Sequence, residues 1–303
     1  MANEIRLDNR VAIITGAGAG LGRSHALAMA ARGAKVVVND LGGRVDGSGA
    51  AKSAADSVVD EIKAAGGEAV ANYDSVGTPE SARAIVETAI DTFGTIDIVV
   101  NNAGIIRYKK FMDHTPDDFA ANLAVHLSGS FYVSQAAFPI MKEKRYGRLV
   151  FTSSSGGLRG AADGVAYGSA KAGVMGLAFV MAHTGAPYNV LSNVILPNAY
   201  TRMTEAMVAE RNIEKMSPEF ISPIVVFLSS ENCKLNHEMF ACGGGGVART
   251  IIALAPGWHT ESKAEFTPEG IEAHLTEIMD MTNYANPQSS AEETRLVAGR
   301  RRK

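Results

Sequence analysis

The feature that most constrains this chain is an alternation of short β-branched runs with longer alanine-rich stretches. Val11–Thr15, Lys35–Asn39, Ala69–Tyr73, Ile96–Asn101, Arg148–Thr152 and Val190–Leu196 are near-continuous apolar runs of strand length. Continuous hydrophobicity, rather than alternation, is what a strand shows when both of its faces are covered. Helical stretches lie between them, at Leu21–Arg32, Ala51–Ala65, Pro79–Phe93, Phe119–Glu143 and Ala166–His183. Strand and helix taken in turn predict an α/β fold, a doubly wound parallel sheet of about seven strands.

The pattern fades after Thr250. A weak strand at Glu238–Ala241 runs into Gly243–Gly246, which reads as a turn ending the last strand. The expected organisation is therefore one domain over 1–250 and a partly helical extension over 251–303. Pro268–Met281 is the expected helix there, with Thr267 as N-cap and Glu269 in the first turn. This tail either packs on a partner subunit or is partly mobile.

Charges nearly cancel, 29 Lys and Arg against 32 Asp and Glu, so no basic field invites nucleic acid. The basic run Arg300–Lys303 reads as a solvated tail. Two cysteines, Cys233 and Cys242, make no disulfide framework and have no metal-ligand spacing, so they read as free thiols in a reducing compartment. No apolar segment precedes the first strand, and no apolar run reaches the ~18 residues of a membrane span. The expectation is a soluble, cytoplasmic protein.

Thr15-Gly-Ala-Gly-Ala-Gly-Leu-Gly22 follows the first strand and opens the first helix. Such a turn lets the backbone approach a pyrophosphate with no Cβ in the way, and the helix N-terminus offers free N–H groups to it. A glycine-rich turn alone is only a tight turn. Its place in the first strand–helix unit makes Gly16, Gly20 and Gly22 candidates for a Rossmann-type dinucleotide site. Asp40 closes the second strand 24 residues after Gly16. A carboxylate there accepts from adenosine ribose hydroxyls and repels a 2′-phosphate, which favours NAD over NADP. Arg44, close by, argues the other way. Asp74 and Asn101-Asn-Ala-Gly104 also fall at C-terminal strand ends, the first placed to accept from an adenine amino group, the second small enough to lie beneath an adenosine.

Tyr167 and Lys171 share one helix face, one turn apart. A free phenol titrates near ~10, too high for a base at neutral pH, and a neighbouring ammonium lowers it. The pair then suits the acid–base step of hydride transfer to a carbonyl. Alone, it is also a common solvated pair. Ser154, 13 residues before Tyr167, makes that reading weaker, because its hydroxyl is placed to orient a substrate oxygen. Ser153 and Ser155 compete, and spacing favours Ser154.

In these motifs, taken in order over about Leu7–Gly245, the sequence resembles the short-chain dehydrogenase/reductase family. The resemblance implies Tyr167 as acid/base, Lys171 as the residue that binds the nicotinamide ribose and tunes Tyr167, and Ser154 as the holder of the substrate oxygen. It extends the dinucleotide set to Leu21, Ser75, Val76, Asn102, Ala103, Gly104, Pro197 and Asn198, with Thr201 on the nicotinamide carboxamide. It implies a homodimer or homotetramer through Phe119–Glu143 and Ala166–His183, where Ala172, Gly173, Gly176 and Ala178 are small. One departure is His126, where the family usually has an asparagine that helps hold a proton-relaying water. His126 either takes that role or is merely packed.

Val36–Gly43, Ala71–Val76, Pro197-Asn-Ala and Arg202-Met-Thr204 are similar to one subgroup, the (3R)-hydroxyacyl-CoA dehydrogenase units of multifunctional β-oxidation enzymes, also known as 17β-hydroxysteroid dehydrogenases. That subgroup also carries histidine at the asparagine position. Arg159–Gly164 and Met181–Ala186 depart from it. The implied function is NAD-dependent interconversion of a secondary alcohol and a ketone, on a 3-hydroxyacyl-CoA first and a hydroxysteroid second. Alternatives are reduction of a small polar ketone or a non-catalytic NAD-binding protein, the latter disfavoured by the intact Ser154, Tyr167 and Lys171 set. No metal is implied, since Ser154 and Tyr167 polarise the oxygen. Finally, Tyr200–Met216 is expected as an amphipathic substrate lid, with Met203, Met207, Met216, Ala206, Val208 and Ile213 apolar and Glu205, Glu210, Arg211 and Glu214 towards water.

Overall fold

The computed structural model describes residues 4–205 and 209–298. Among these, two compact units are distinguished, residues 1–249 and 250–303.

The first unit is built on a sheet ordered β3-β2-β1-β4-β5-β6-β7-β8. Its strands are β1 (Val11–Thr15), β2 (Lys35–Asn39), β3 (Glu68–Asn72), β4 (Ile98–Asn101), β5 (Gly147–Thr152), β6 (Val190–Pro197), β7 (Met239–Gly243) and β8 (Gly246–Thr250). From β3 to β7 every neighbouring pair is parallel. Gly243–Gly246 was expected to end the last strand. It instead turns the chain into an eighth strand along the edge, and β8 is almost wholly exposed. With neither face buried, β8 lacks the apolar run by which the other strands announce themselves.

Period-two geometry explains those runs. In β1, Ala12 and Ile14 pack on one side of the sheet, Val11 and Ile13 on the other. One side is covered by α1 (Gly20–Ala31), α2 (Ser53–Ala64) and α8 (Ser222–Ser229), the other by α3 (Pro79–Phe93), α5 (Gly129–Lys144) and α7 (Val165–Gly185), with α4 (Pro116–Asn122) and α6 (Ser155–Arg159) near the strand ends. Helix α3 shows why boundaries fall where they do. Thr78 accepts from Ser81 N–H, Pro79 opens the helix, and Gly94 closes it in the left-handed region at φ 80°.

The expected single helix Phe119–Glu143 is interrupted: α4 and α5 are joined by a π-helical turn at Leu123–Ser128. Helix α7 corrects a second expectation. By length and composition Val165–Tyr188 is apolar enough to cross a membrane. One side of it packs along β5 and β6.

In the second unit, Thr267 caps α9 (Pro268–Ala273) by accepting from Gly270 N–H. The expected Pro268–Met281 helix breaks at His274, and α10 (Leu275–Met279) follows, with α11 (Ser290–Ala298) further on. Trp258 stacks on His274 at 4.4 Å and on Phe266 at 5.8 Å. No described residue of this unit after Thr250 is buried. The basic run at 300–303 lies outside the described residues, as do Ala206, Met207 and Val208 of the expected lid. The described remainder of that segment holds single 3₁₀ turns at Glu210–Asn212 and Glu214–Met216 in place of the expected amphipathic helix.

Candidate active site

The strand order reverses between β1 and β4, and a crevice opens there beyond their C-terminal ends. It is a cavity of about 510 Å³. At one end the β1–α1 turn passes through Gly16 at φ +65°, a conformation side chains disfavour, and a Cβ there would lie 2.8 Å from Ala103 Cα. Thr15 Oγ1 accepts from both Asn102 N–H and Ala103 N–H, while Asn102 Nδ2 donates to the carbonyls of Thr15 and Gly16. The glycine turn and the Asn101–Gly104 segment are thus one hydrogen-bonded body. Asp40 is held as firmly. Its Oδ2 accepts from Gly18 N–H at 2.7 Å and its Oδ1 from Gly42 N–H at 2.6 Å. Asp74 accepts from Asn72 Nδ2 at 2.8 Å.

Gly16, Gly20, Leu21, Asp40, Asp74, Ser75, Val76, Asn102, Ala103, Gly104, Pro197, Asn198 and Thr201 all border the cavity. Thr201 stands across it from Gly20, its methyl 3.5 Å from where a Cβ of that glycine would be. Gly22 does not border it. A Cβ on Gly22 would come 2.1 Å from Gly16 O, so this glycine lets α1 pack against its own approach turn.

Ser154, Tyr167, Lys171 and His126 meet at the other end. Ser154 caps α6, accepting from Gly156 N–H at 3.1 Å. Ser153 is buried and donates to Lys171 O at 2.7 Å, which ties β5 to α7. Ser155 also borders the cavity. Of the three serines, Ser154 is the one whose hydroxyl lowers the Tyr167 phenol's pKa. Lys171 Nζ donates to Thr152 O at 2.7 Å and lies 5.7 Å from the Tyr167 ring centroid.

Burial pushes the Tyr167 phenol up, Ser154 draws it part of the way back, and Tyr108 raises it further. Burial also takes Lys171 down to about 7, so near neutral pH it is shared between charged and neutral forms.

The π turn carries His126 into the cavity wall. Nε2 lies 2.7 Å from Ile105 O and 3.2 Å from Ile105 N. Nδ1 is buried with no partner among the described residues, as is Thr152 Oγ1. Burial first, then the Lys171 charge, holds this imidazole well below its usual range. Its ring meets Tyr167 edge-on at 5.3 Å, and Gly104 makes room for it: a Cβ there would lie 2.5 Å from His126 Cε1.

Sequence reasoning missed Ile105, Ile106, Tyr108 and Ala161, which also border this end. The first three lie within four residues after Gly104, and that proximity was the available signal.

The short chain dehydrogenase family model matches residues 10–212. The chain is 44% identical over 299 residues to peroxisomal multifunctional enzyme type 2 of Mus musculus, covering 97% of this chain but 40% of that protein. Among solved structures, full-length peroxisomal multifunctional enzyme type 2 from Drosophila melanogaster superposes with a TM-score of 0.82 at 37% identity, over 97% of this chain and 50% of that one. A 7α-hydroxysteroid dehydrogenase complexed with NADH and 7-oxo glycochenodeoxycholic acid gives 0.73 at 30% identity, over 81% of this chain and 98% of that one. The chain spans 40% to 50% of the length of these two multifunctional enzymes. With a glycine turn bound to the Asn101–Gly104 segment, and serine, tyrosine and lysine meeting at the far end of the same crevice, it belongs to the short-chain dehydrogenase family.

Proposed function

We propose that the chain is an NAD-linked dehydrogenase interconverting a secondary alcohol and a ketone, with a (3R)-hydroxyacyl-CoA as first substrate class and a hydroxysteroid as second. The observation that carries this is the continuity of one cavity from the glycine turn and Asp40 to Ser154, Tyr167 and Lys171. A dinucleotide fits the groups present. The turn at Gly16 leaves backbone open where a side chain would stand, and Asp40 presents a carboxylate beside it. The unpartnered Thr152 Oγ1 and His126 Nδ1 are polar atoms awaiting a partner at the other end. Gly16, Gly20, Leu21, Asp40, Asp74 to Val76, Asn102 to Gly104, Pro197, Asn198 and Thr201 would hold it.

Bound nicotinamide supplies or takes up the hydride. Ser154 Oγ orients the substrate oxygen and steadies the Tyr167 oxygen. Tyr167 Oη takes the hydroxyl proton during oxidation and returns it during reduction. Lys171, anchored at Thr152 O, is the next proton-bearing group, and its position near neutrality suits exchange with solvent. The acyl-CoA preference rests on the subgroup resemblance. The bound steroid of the 7α-hydroxysteroid dehydrogenase supports the second choice.

Residues 1–250 form the proposed catalytic domain, with 251–303 an extension of it. We further propose a homo-oligomer, dimer or tetramer, through α4–α5 and α7. Ala172, Gly176 and Val180 are exposed along one stripe of α7, and Phe119 and Phe131 are exposed nearby in sequence on α4 and α5, whereas Ala178 is buried within its own chain. The proposed compartment is a reducing one, the cytoplasm, supported by two buried free thiols. The peroxisome in the relatives' names is the alternative. The deciding experiment is a spectrophotometric screen with NAD and NADP against acyl-CoA, steroid and polyol panels. Turnover on hydroxyacyl-CoA with NAD is expected. Absence of nicotinamide-dependent turnover on every panel overturns the reading.

A further inference from the structure

Tyr108 is given no step in the chemistry above, yet it stands against Tyr167 and helps to raise its phenol. Its ring lies 6.2 Å from that of Tyr167, tilted by 44°, and borders the same cavity. Tyr167 is therefore flanked by His126 edge-on and by Tyr108. The flanks of Tyr108 are pinned. Ile106 N–H donates to Val45 O at 2.8 Å, Arg107 Nε donates to Asp46 O at 2.8 Å, and Lys109 Nζ pairs at 2.5 Å with Asp118, a nearly buried carboxylate at the start of α4. The ring has also been given space. A Cβ on Gly164 would stand 3.1 Å from Tyr108 Cε1, and Gly164 has φ −108°, which any residue adopts. Glycine at 164 is thus explained by the neighbouring ring and not by its own backbone. The Tyr108 hydroxyl has no hydrogen-bond partner among the described residues, and the side chain is 40% exposed at the cavity mouth. A phenol whose backbone is fixed on both sides, whose ring is accommodated, and whose O–H is unspent is a group held for a ligand.

We propose that Tyr108 is the specificity-determining residue of the substrate end, its hydroxyl donating to a second carbonyl oxygen of the substrate while the first sits at Ser154 and Tyr167. This rests on the dehydrogenase reading and deepens it. A 3-oxoacyl thioester carries a second carbonyl two carbons from the reacting one, and a substrate with a lone carbonyl does not. Burial raises the Tyr108 phenol, so it remains a donor through neutral pH.

The test compares the full chain with Tyr108→Phe, which keeps the ring and removes the donor. Reduction by NADH of a medium-chain 3-oxoacyl thioester is measured beside that of a methyl ketone of similar length, with NADH affinity from fluorescence titration and melting as a folding control. For the thioester, KM rises roughly 3- to 10-fold with kcat little changed, the effect of one lost neutral hydrogen bond. For the methyl ketone KM does not move, and NADH affinity and melting are unchanged. Gly164→Ala, which crowds the ring without touching its hydroxyl, raises KM for both substrates. Equal KM for wild type and Tyr108→Phe on the thioester, or equal shifts on both substrates, overturns the proposal. So does a wild type that reduces the ketone and not the thioester, and in that case the dehydrogenase reading survives. If neither substrate is reduced, that reading falls, and calorimetric affinity of the thioester for the two proteins decides on Tyr108: equal affinity overturns it, weaker binding by the variant supports it.

Discussion

At the end of the cavity where a dinucleotide is proposed, the wall is backbone, held in place by short polar side chains. Thr15 Oγ1 gathers two peptide N–H groups, Asp40 gathers two more, and Asn102 returns donors to two carbonyls. At the substrate end the wall is side chain. Tyr167 is set between the rings of His126 and Tyr108, and Lys171 reaches one carbonyl. A wall of peptide groups tolerates change only where no side chain is needed, so it is conditioned by glycines. A wall of side chains can be re-formed by exchanging bulk between neighbours, as Tyr108 and Gly164 show. The first end is thus suited to one invariant ligand, the second to a changing one.

The largest separation of the two ends comes from Tyr167→Phe. Turnover falls by about 10²–10⁴-fold, and NAD affinity by titration stays close to wild type, because no dinucleotide contact proposed above depends on that proton. Near-normal turnover would remove Tyr167 from its assigned role.

Gly22→Ala acts in the opposite sense. It borders no cavity, yet its Cβ would meet Gly16 O at 2.1 Å, so α1 or the turn must shift. A loss of about 1–3 kcal/mol in stability is expected, with weakened NAD binding. Denaturant unfolding and titration check both, and a wild-type result in either would show that this end is more plastic than its hydrogen bonds imply.

Asp40→Ala is expected to lower NAD affinity by roughly tenfold, the scale of a charge-assisted hydrogen bond, and to narrow the gap to NADP, because the carboxylate that repels a 2′-phosphate is gone while Arg44 still borders the cavity. Equal affinity of the unmutated chain for NAD and NADP would show that Arg44 prevails.

The smallest effect is in acid. His25 on α1 is fully buried, bonded through Nδ1 to Ser222 Oγ, and burial lowers it to about 3. Its folded value lies below its unfolded one, near 6.5. The unfolded chain therefore takes up a proton that the folded chain refuses, and stability is lost as pH falls from about 6.5 towards 3. His126, also lowered, adds to the same decline. Melting temperature should fall across this window. His25→Gln should flatten the fall while leaving KM for substrate unchanged, and His126→Gln should flatten it while altering the substrate end. A melting temperature independent of pH over the window would contradict both.

The contrast between the two ends also explains what the sequence made legible. Gly16, Asp40 and Asn102 were readable because a backbone that must turn or come close to another leaves glycines and short polar residues at fixed distances. Tyr167 and Lys171 were readable from helical spacing. Tyr108 and Gly164 were not, since they are far apart along the chain and meaningful only as a pair. The Thr152 carbonyl that anchors the Lys171 ammonium was not readable either, because it belongs to another element. Strand β8 escaped notice because an exposed edge needs no apolar run. The interruption at Leu123–Ser128 was invisible for a subtler reason: one additional residue within a turn barely disturbs hydrophobic periodicity on either side.

That additional residue has a consequence for how the chain can diverge. Successive α-helical residues are offset by about 100°, so a π turn puts the two helices it joins out of phase. Upstream, α4 and the turn itself look towards α7; downstream, α5 looks towards α3, β4 and β5. The two sets of contacts therefore face different neighbours, and Ser130 Oγ, at the start of α5, ties them by donating to His126 O at 2.6 Å. Removal of a single residue between Leu123 and Ser128 would restore an unbroken α-helix and oblige one of the two helices to rotate against its present neighbours.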